Sequence, residues 1–396
     1  MITLDKVYHA AHILKQVARP TDMIKSNLCR DCDLYLKTEN LQVTGSFKVR
    51  GAYYKISQLT EEEKARGVIA CSAGNHAQGV ALAAARNGIK AKICIPDNAP
   101  ISKVEATKSY GAEVVLVKGT YDDAYERALE LVEETGATFI HPFDDEMVIA
   151  GQGSIGLEIL DQLPDVEAVI VPVGGGGLIS GVGFALKTLN PDIKVYGVQA
   201  TGAPSMARAL KDGKIETLDT VKTIADGIAV KTPGENTFEC CSKYVDDIVT
   251  VSDDEISTAI LELIEQQKLI AEGAGAVSVA AAIFNKLPIE GKKAVALVSG
   301  GNIDVTILSR VINRGLQKAG RLAELVIELV DKPGQLLDVS KIIADLGGNV
   351  VSLEHNRGDE KLDINACVLR ISMETRDQQH LDTIKNALLD AGFKLV

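Results

Sequence analysis

From residue 68 onward the chain alternates short, β-branched apolar runs with amphipathic stretches that close on glycine. Runs at 68–71, 92–96, 113–117 and 138–141 read as strands. The intervening stretches 77–87, 102–110 and 121–134 have helical spacing, and Gly88, Gly111 and Gly136 stand where a helix ends in the left-handed conformation. Parallel strands require crossovers of this kind, so the pattern predicts repeated strand–helix–strand units. Further buried strands are expected at 168–173, 194–199 and 294–298. A long helix is expected from Ser252, because Ser252 and Glu255 have capping-box spacing and Ile256, Ile260, Leu263 and Ile264 share one face. The fold class is therefore α/β with two lobes, and a cleft between such lobes is a common ligand site.

After Leu316 the pattern changes. Strand, helix, strand, strand, helix and strand are expected at 326–330, 336–345, 350–354, 362–372, 378–390 and the last residues. That order is the ferredoxin-like βαββαβ unit. The expected division is a main domain over 1–318, with a smaller lobe at roughly 45–145 inserted in the larger one, and a second domain over 322–396.

Composition narrows the function. With 396 residues and 46% of them hydrophobic, the chain can bury a large core. A net charge of −12 without a basic patch argues against nucleic-acid polymers and anionic membrane surfaces. Asp5, Lys6, Lys15 and Arg19 interrupt any signal-peptide centre, and the longest apolar run, 274–284, is too short to span a bilayer. The expected location is the cytoplasm. Seven cysteines, two of them the neighbours Cys240 and Cys241, suit reduced thiols. Cys29 and Cys32 form a C-x-x-C unit downstream of His9 and His12, but no second C-x-x-C follows, so these are read as packing cysteines and no metal ligand set is expected.

Small-molecule chemistry remains, and three segments could carry it. Gly174, Gly175, Gly176 and Gly177 follow a strand and precede the helical run 178–189, a context in which backbone N–H groups and the helix start receive a phosphate. Leu178, Ile179 and Ser180 replace the Lys-Ser of a nucleoside-triphosphate loop, so a cofactor with one phosphate is favoured. Gly151, Gly153 and Gly156 match the dinucleotide pattern G-x-G-x-x-G, yet the preceding strand ends too early and no acidic residue follows at the required distance. Close packing of a helix is the expected use of these glycines. Lys48 stands in a first helical turn, where the dipole opposes its charge and favours the neutral, nucleophilic amine of a Schiff-base lysine. Read singly, Lys48 is a surface lysine, and Ser72 and Asn75 are helix caps.

Together these segments resemble the serine/threonine dehydratases among the fold-type II pyridoxal-phosphate enzymes, whose tryptophan synthase β-like fold would cover about 1–318. The resemblance rests on Thr44-Gly45-Ser46-Phe47-Lys48-Val49-Arg50-Gly51-Ala52, Ser72-Ala73-Gly74-Asn75-His76, the glycine tetrad with Leu178, Ala225-Asp226-Gly227, Glu272, and Ser299-Gly300-Gly301-Asn302. It implies pyridoxal 5′-phosphate as cofactor, Lys48 as Schiff base and Cα base, and Phe47 against the ring. It further implies Asn75 at the ring 3′-oxygen, Gly174, Gly175, Gly176, Gly177 and Leu178 at the phosphate, and Gly227 and Glu272 near the ring. Ser299 would face the pyridine nitrogen, and Ser72, Ala73, Gly74, Asn75 and His76 would bind the substrate. The cofactor phosphate would protonate the leaving hydroxyl. The implied reaction converts L-threonine to 2-oxobutanoate and ammonia, with L-serine to pyruvate beside it. Ala73 favours this over racemisation, because related serine racemases carry a serine acid/base there. Gln199, Ala203 and Ser205 stand where family members can hold a divalent ion and are poor ligands for one.

The C-terminal segment resembles an ACT domain, with Asp331-Lys332-Pro333-Gly334-Gln335-Leu336 as its ligand-side turn. This implies an amino-acid or nucleotide effector at Pro333, Gly334, Gln335 and Leu336, and a homodimer or homotetramer. Family members often carry a doubled regulatory region, whereas this chain has one unit. Two other readings stay open: an ACT-bearing NAD-dependent dehydrogenase using Gly151, Gly153 and Gly156, and a non-catalytic amino-acid sensor.

Overall fold

The computed structural model describes residues 2–357 and 365–396, in two compact units, Met1–Asp304 and Val305–Val396. In the first unit a six-stranded sheet runs in the order Met23–Ser26, Asp33–Lys37, Lys293–Leu297, Ala168–Pro172, Lys194–Ala200, Asp247–Val251. Only its first pair is antiparallel. A separate four-stranded parallel sheet has the order Glu113–Val117, Ala91–Pro96, Val68–Cys71, Thr138–Phe139. Its strands all come from the chain between two central strands of the larger sheet. The helices Asn75–Arg86, Ile101–Ser109 and Tyr121–Thr135 are its crossovers.

The inner parallel strands are apolar on both faces because helices cover both, and Val68–Cys71 and Ala168–Pro172 are buried at every position. The last strand of the small sheet has two residues rather than the expected four, since the chain leaves the sheet at Ile140 toward the cleft. At Ser252 the capping box forms, with Ser252 accepting from the N–H of Glu255, but the helix Asp253–Glu262 passes into a π turn over Leu263–Gln267.

The G-x-G-x-x-G segment lies inside the helix Glu146–Gln162, so it forms no nucleotide loop and the dehydrogenase reading fails. A Cβ on Gly151 would meet the Arg50 carbonyl and Gly51 Cα at 2.7 Å, and one on Gly153 would meet the Gly181 carbonyl at 3.1 Å. The glycines let this helix press against Lys48–Ser57 on one side and Gly177–Leu189 on the other.

The second unit is α/β with an antiparallel sheet ordered Asn349–Asn356, Ala366–Glu374, Leu322–Val330, Lys394–Leu395. Helices Gln335–Asp345 and Gln378–Asp390 complete the βαββαβ order, preceded by the helix Val305–Lys318. The first part of the strand expected over 362–372 lies outside the described residues. The core joins Leu325, Ile327, Leu369 and Ile371 of the sheet to Val339, Ile343, Ile384 and Leu388 of the helices. Among the described residues no helix is long and apolar enough to cross a membrane. All seven cysteines are free.

Candidate active site

A cavity of about 750 Å³ opens in the first unit. Its lining includes Phe47, Lys48, Ser72, Ala73, Gly74, Asn75, His76, Gly174, Gly175, Gly176, Gly177, Leu178, Gly227, Glu272 and Ser299, so segments spread over 250 residues of chain converge there. The turn of Pro333, Gly334, Gln335 and Leu336 belongs to the other unit and opens the helix Gln335–Asp345.

Backbone pairing brings the Lys48 segment to Ser299. Ser46 and Gly300 form an antiparallel bridge, the N–H of Phe47 donates to the Ser299 carbonyl at 3.1 Å, and Gly301 N–H donates to the Gly45 carbonyl at 2.9 Å. Thr44 is held in the left-handed region at φ 68°, which costs about 1–2 kcal/mol for a residue with a Cβ. The Asn302 amide offsets that cost by donating to the Thr44 carbonyl at 2.6 Å and to Asn75 Oδ1 at 2.7 Å.

Lys48 begins the helix Lys48–Ser57, and Nζ donates to the Pro142 carbonyl at 2.8 Å. Burial lowers its pKa to about 8, against the opposing pull of the Glu272 carboxylate. Glu272, also buried, is raised to about 7 by desolvation and the Asp226 carboxylate, and it accepts from Asn75 Nδ2 at 2.6 Å. His76 is lowered to about 3 by burial and then by Lys48. Its Nε2 lies 2.8 Å from the Ile140 carbonyl, which only a ring carrying its proton there can use as an acceptor. That bond fixes the His76 ring against Ile140 and leaves Nδ1 as its acceptor nitrogen.

The glycine tetrad ends the strand Ala168–Pro172 and starts the helix Gly177–Leu189, whose N-cap Gly176 has φ 97° and offers no capping side chain. The first N–H groups of that helix have no intrahelical partner and are available to an anion. The turn is also packed tightly from outside, since a Cβ on Gly175 would lie 2.5 Å from the Phe143 ring and one on Gly174 would lie 3.0 Å from Ile228 Cα. Thr237 fastens it by donating Oγ1–H to the Gly175 carbonyl at 2.6 Å. Ser299 is buried and neutral, with Oγ 3.4 Å from the Ala274 carbonyl. An uncapped helix start, a buried amine of lowered pKa and a buried hydroxyl in one cavity fit the phosphate, aldehyde and ring nitrogen of pyridoxal phosphate.

Several lining groups carried no sequence signal. His141 Nδ1 accepts from the N–H groups of Asp144, at 2.7 Å, and Phe143, which leaves its proton on Nε2. Lys103 pairs with Asp226 at 2.6 Å and Lys231 with Asp122 at 3.0 Å, two ion pairs that join the small-sheet region to the large-sheet region at the cavity rim. Outside the lining, two residues after Lys48, Arg50 donates to both Glu39 oxygens at 2.8 and 2.7 Å and to Glu158 Oε1 at 2.6 Å. Lys37 reaches Glu158 at 2.7 Å. Burial works against the Arg50 charge, but the two carboxylates outweigh it and hold its pKa up. Among the described residues the C-x-x-C pair is not assembled with histidines: His9 bonds to Tyr54 at 3.1 Å, and burial pushes the Cys32 thiol pKa up.

Comparison with known proteins agrees with this geometry. Residues 14–300 match the family described as pyridoxal-phosphate dependent enzyme, and residues 323–393 match the ACT domain. The chain is 51% identical to an L-threonine ammonia-lyase of Thermotoga maritima, covering 100% of this chain and 99% of that one. It is 48% identical to a catabolic L-threonine dehydratase of Escherichia coli over 78% of this chain and 96% of that one. Among solved structures, processed threonine deaminase isoform 2 of Solanum lycopersicum superposes with a TM-score of 0.74 at 41% identity, covering 79% of this chain and 89% of that one. Maize serine racemase superposes at 0.75 and 36% identity, over 80% and 98%. The sequence match, the fold and the cavity agree that this chain belongs to the pyridoxal-phosphate dependent enzymes and carries a C-terminal ACT domain.

Proposed function

We propose that this enzyme converts L-threonine to 2-oxobutanoate and ammonia, with L-serine to pyruvate as a side reaction. The observation that carries the reading is a buried Lys48 amine of lowered pKa lining one cavity with the glycine turn and Ser299. Identity of 51% over the full length to an L-threonine ammonia-lyase supports the choice of substrate.

Bound pyridoxal phosphate supplies a conjugated electron sink for negative charge at the substrate Cα. Gly174, Gly175, Gly176, Gly177 and Leu178 would hold its phosphate, Phe47 would pack on its ring, Asn75 would serve its ring oxygen, and Gly227 and Glu272 would lie near the ring. Lys48 would be the covalent partner, and its amine would take the Cα proton. Ser299 would face the ring nitrogen, where a hydroxyl does not hold a proton as a carboxylate does; this favours elimination over transamination. The substrate carboxylate is assigned to Ser72, Ala73, Gly74, Asn75 and His76, because the helix Asn75–Arg86 has no side-chain cap and its first N–H groups are open to an anion. The β-hydroxyl would leave as water with a proton supplied from the cofactor phosphate seated in the glycine turn, and the enamine released would take up one water to give the 2-oxoacid and ammonia. The methyl of Ala73 cannot carry a proton, which favours the lyase over a racemase of the same fold.

The ACT unit is assigned a regulatory role, with an amino-acid or nucleotide effector at Pro333, Gly334, Gln335 and Leu336, in a homodimer or homotetramer of the cytosol. The test is to reduce the yellow holoenzyme with borohydride, map the modified peptide, and assay 2-oxobutanoate from threonine. Label on Lys48 together with threonine turnover is expected. Label on another residue, or a labelled enzyme that leaves threonine untouched, overturns the reading.

A further inference from the structure

Away from the cavity, three side chains of the second unit converge at one end of its sheet. Leu329 pairs with Cys367 across neighbouring strands, and His355 pairs with Leu369. Residues two apart on a strand share a face, so His355 and Cys367 are diagonal neighbours on the face that carries Leu369 and Ile371 into the core. Asp331 lies two residues beyond Leu329, and its N–H donates to the Asn365 carbonyl at 2.8 Å, which prolongs the pairing and keeps Asp331 on that face.

Among the described residues these three form one group whose ligand atoms, a carboxylate oxygen, an imidazole nitrogen and a thiol sulfur, all lie within 4.8 Å of one another. His355 Nε2 is 3.0 Å from Cys367 Sγ. Cys367 is buried, whereas Asp331 and His355 stand exposed at the rim and give access from solvent. The Arg357 guanidinium holds the Asp331 carboxylate at 3.2 Å and orients it.

We propose that Asp331, His355 and Cys367 bind a borderline divalent cation of the zinc class, leaving a fourth position open to water or a small ligand. The set is one nitrogen, one sulfur and one oxygen, which suits zinc and not calcium or magnesium, whose ligands are oxygens. On binding, the Cys367 S–H bond breaks, its proton goes to solvent, and the sulfur and imidazole lone pairs form the new bonds; no electron is transferred. The sequence suggested no metal ligand set, because two of its members come from different strands, the third lies just beyond another, and they share no spacing motif. Asp331 also begins the turn that leads to Gly334, so the cation would fasten the sheet end from which that turn departs.

The test uses full-length holoenzyme, stripped with a chelator and dialysed. Zinc is measured by equilibrium dialysis with elemental analysis, and cobalt(II) serves as a spectroscopic probe through its d–d bands at the red end of the spectrum, where a pyridoxal enzyme is transparent. One zinc per chain is expected, with tetrahedral cobalt bands that zinc abolishes. His355→Gln and Asp331→Asn, at exposed positions, and Cys367→Ser should each lose that equivalent, and the double variant Cys29→Ser/Cys32→Ser should keep it. Absence of zinc binding by the full-length protein overturns the proposal, as does an equivalent that survives His355→Gln and Asp331→Asn. Loss of the equivalent in the Cys29/Cys32 variant would move the site to the C-x-x-C pair and overturn it too.

Discussion

The Asn75 amide and the Glu272 carboxylate, 197 residues apart in sequence, meet at 2.6 Å inside the cavity. Asn75 accepts from Asn302 with its other end, so the ionised form of Glu272 fixes which way the amide faces. Glu272 has its pKa raised to about 7 by burial and by Asp226, so it gains a proton as pH falls through neutrality. A protonated Glu272 holds the Asn75 N–H less firmly, and kcat/KM should fall on the acid side of about 7. Glu272→Gln should remove that limb from the kcat/KM profile. A limb left unchanged in the variant would assign the ionisation to another group.

Lys48 gives a second pH signature. In the proposed role the neutral amine is the nucleophile, and with a pKa of about 8 its neutral fraction rises through that pH instead of near the ordinary lysine value of 10.5. The rate at which cofactor-free enzyme captures pyridoxal phosphate, followed by absorbance, should rise between pH 7 and 9 and then level, within about one pH unit of these limits. Lys48→Ala should lose at least about 100-fold in turnover and all borohydride-stable label.

Gly175→Ala should weaken cofactor binding by about tenfold or more, since the added methyl meets the Phe143 ring and overpacking of this kind costs about 1–3 kcal/mol. Fluorescence titration with pyridoxal phosphate measures it. Adding Phe143→Leu removes the clash and should restore part of the loss; no recovery would place the damage in the turn itself.

Arg50 is buried, and its two carboxylate partners belong to separate parts of the chain. Arg50→Met should cost about 3–5 kcal/mol, because the buried carboxylates of Glu39 and Glu158 lose the guanidinium that both accept from. A clear drop in the thermal midpoint is expected. Glu39→Gln should be milder, since Arg50 keeps its Glu158 pair.

Much of this arrangement was legible because the small-sheet strands are short apolar runs and their crossovers are amphipathic helices that close on glycine. Strands Val68–Cys71 and Glu113–Val117 occur where the pattern predicts them. Met23–Ser26, Asp33–Lys37 and Asp247–Val251 were missed, as short or half-exposed strands that mix charged and apolar positions. Lys37, Glu39 and Arg50 gave no warning either: charges normally face solvent, and their burial follows from Glu158, more than 100 residues away. Asn302 was legible as part of a motif, but its bonds to Thr44 and Asn75 required the bridge between Ser46 and Gly300.

The glycines of the helix Glu146–Gln162 also act as a ruler. With no side chain at Gly151 and Gly153, the helices Lys48–Ser57 and Gly177–Leu189 pack on this helix at main-chain distance, and that spacing would set how far apart the Lys48 amine and the glycine tetrad proposed to hold the cofactor stand. Even one methyl in this seam would lengthen the gap that a cofactor of fixed size must bridge, so the helix would enforce cofactor identity without touching the cofactor.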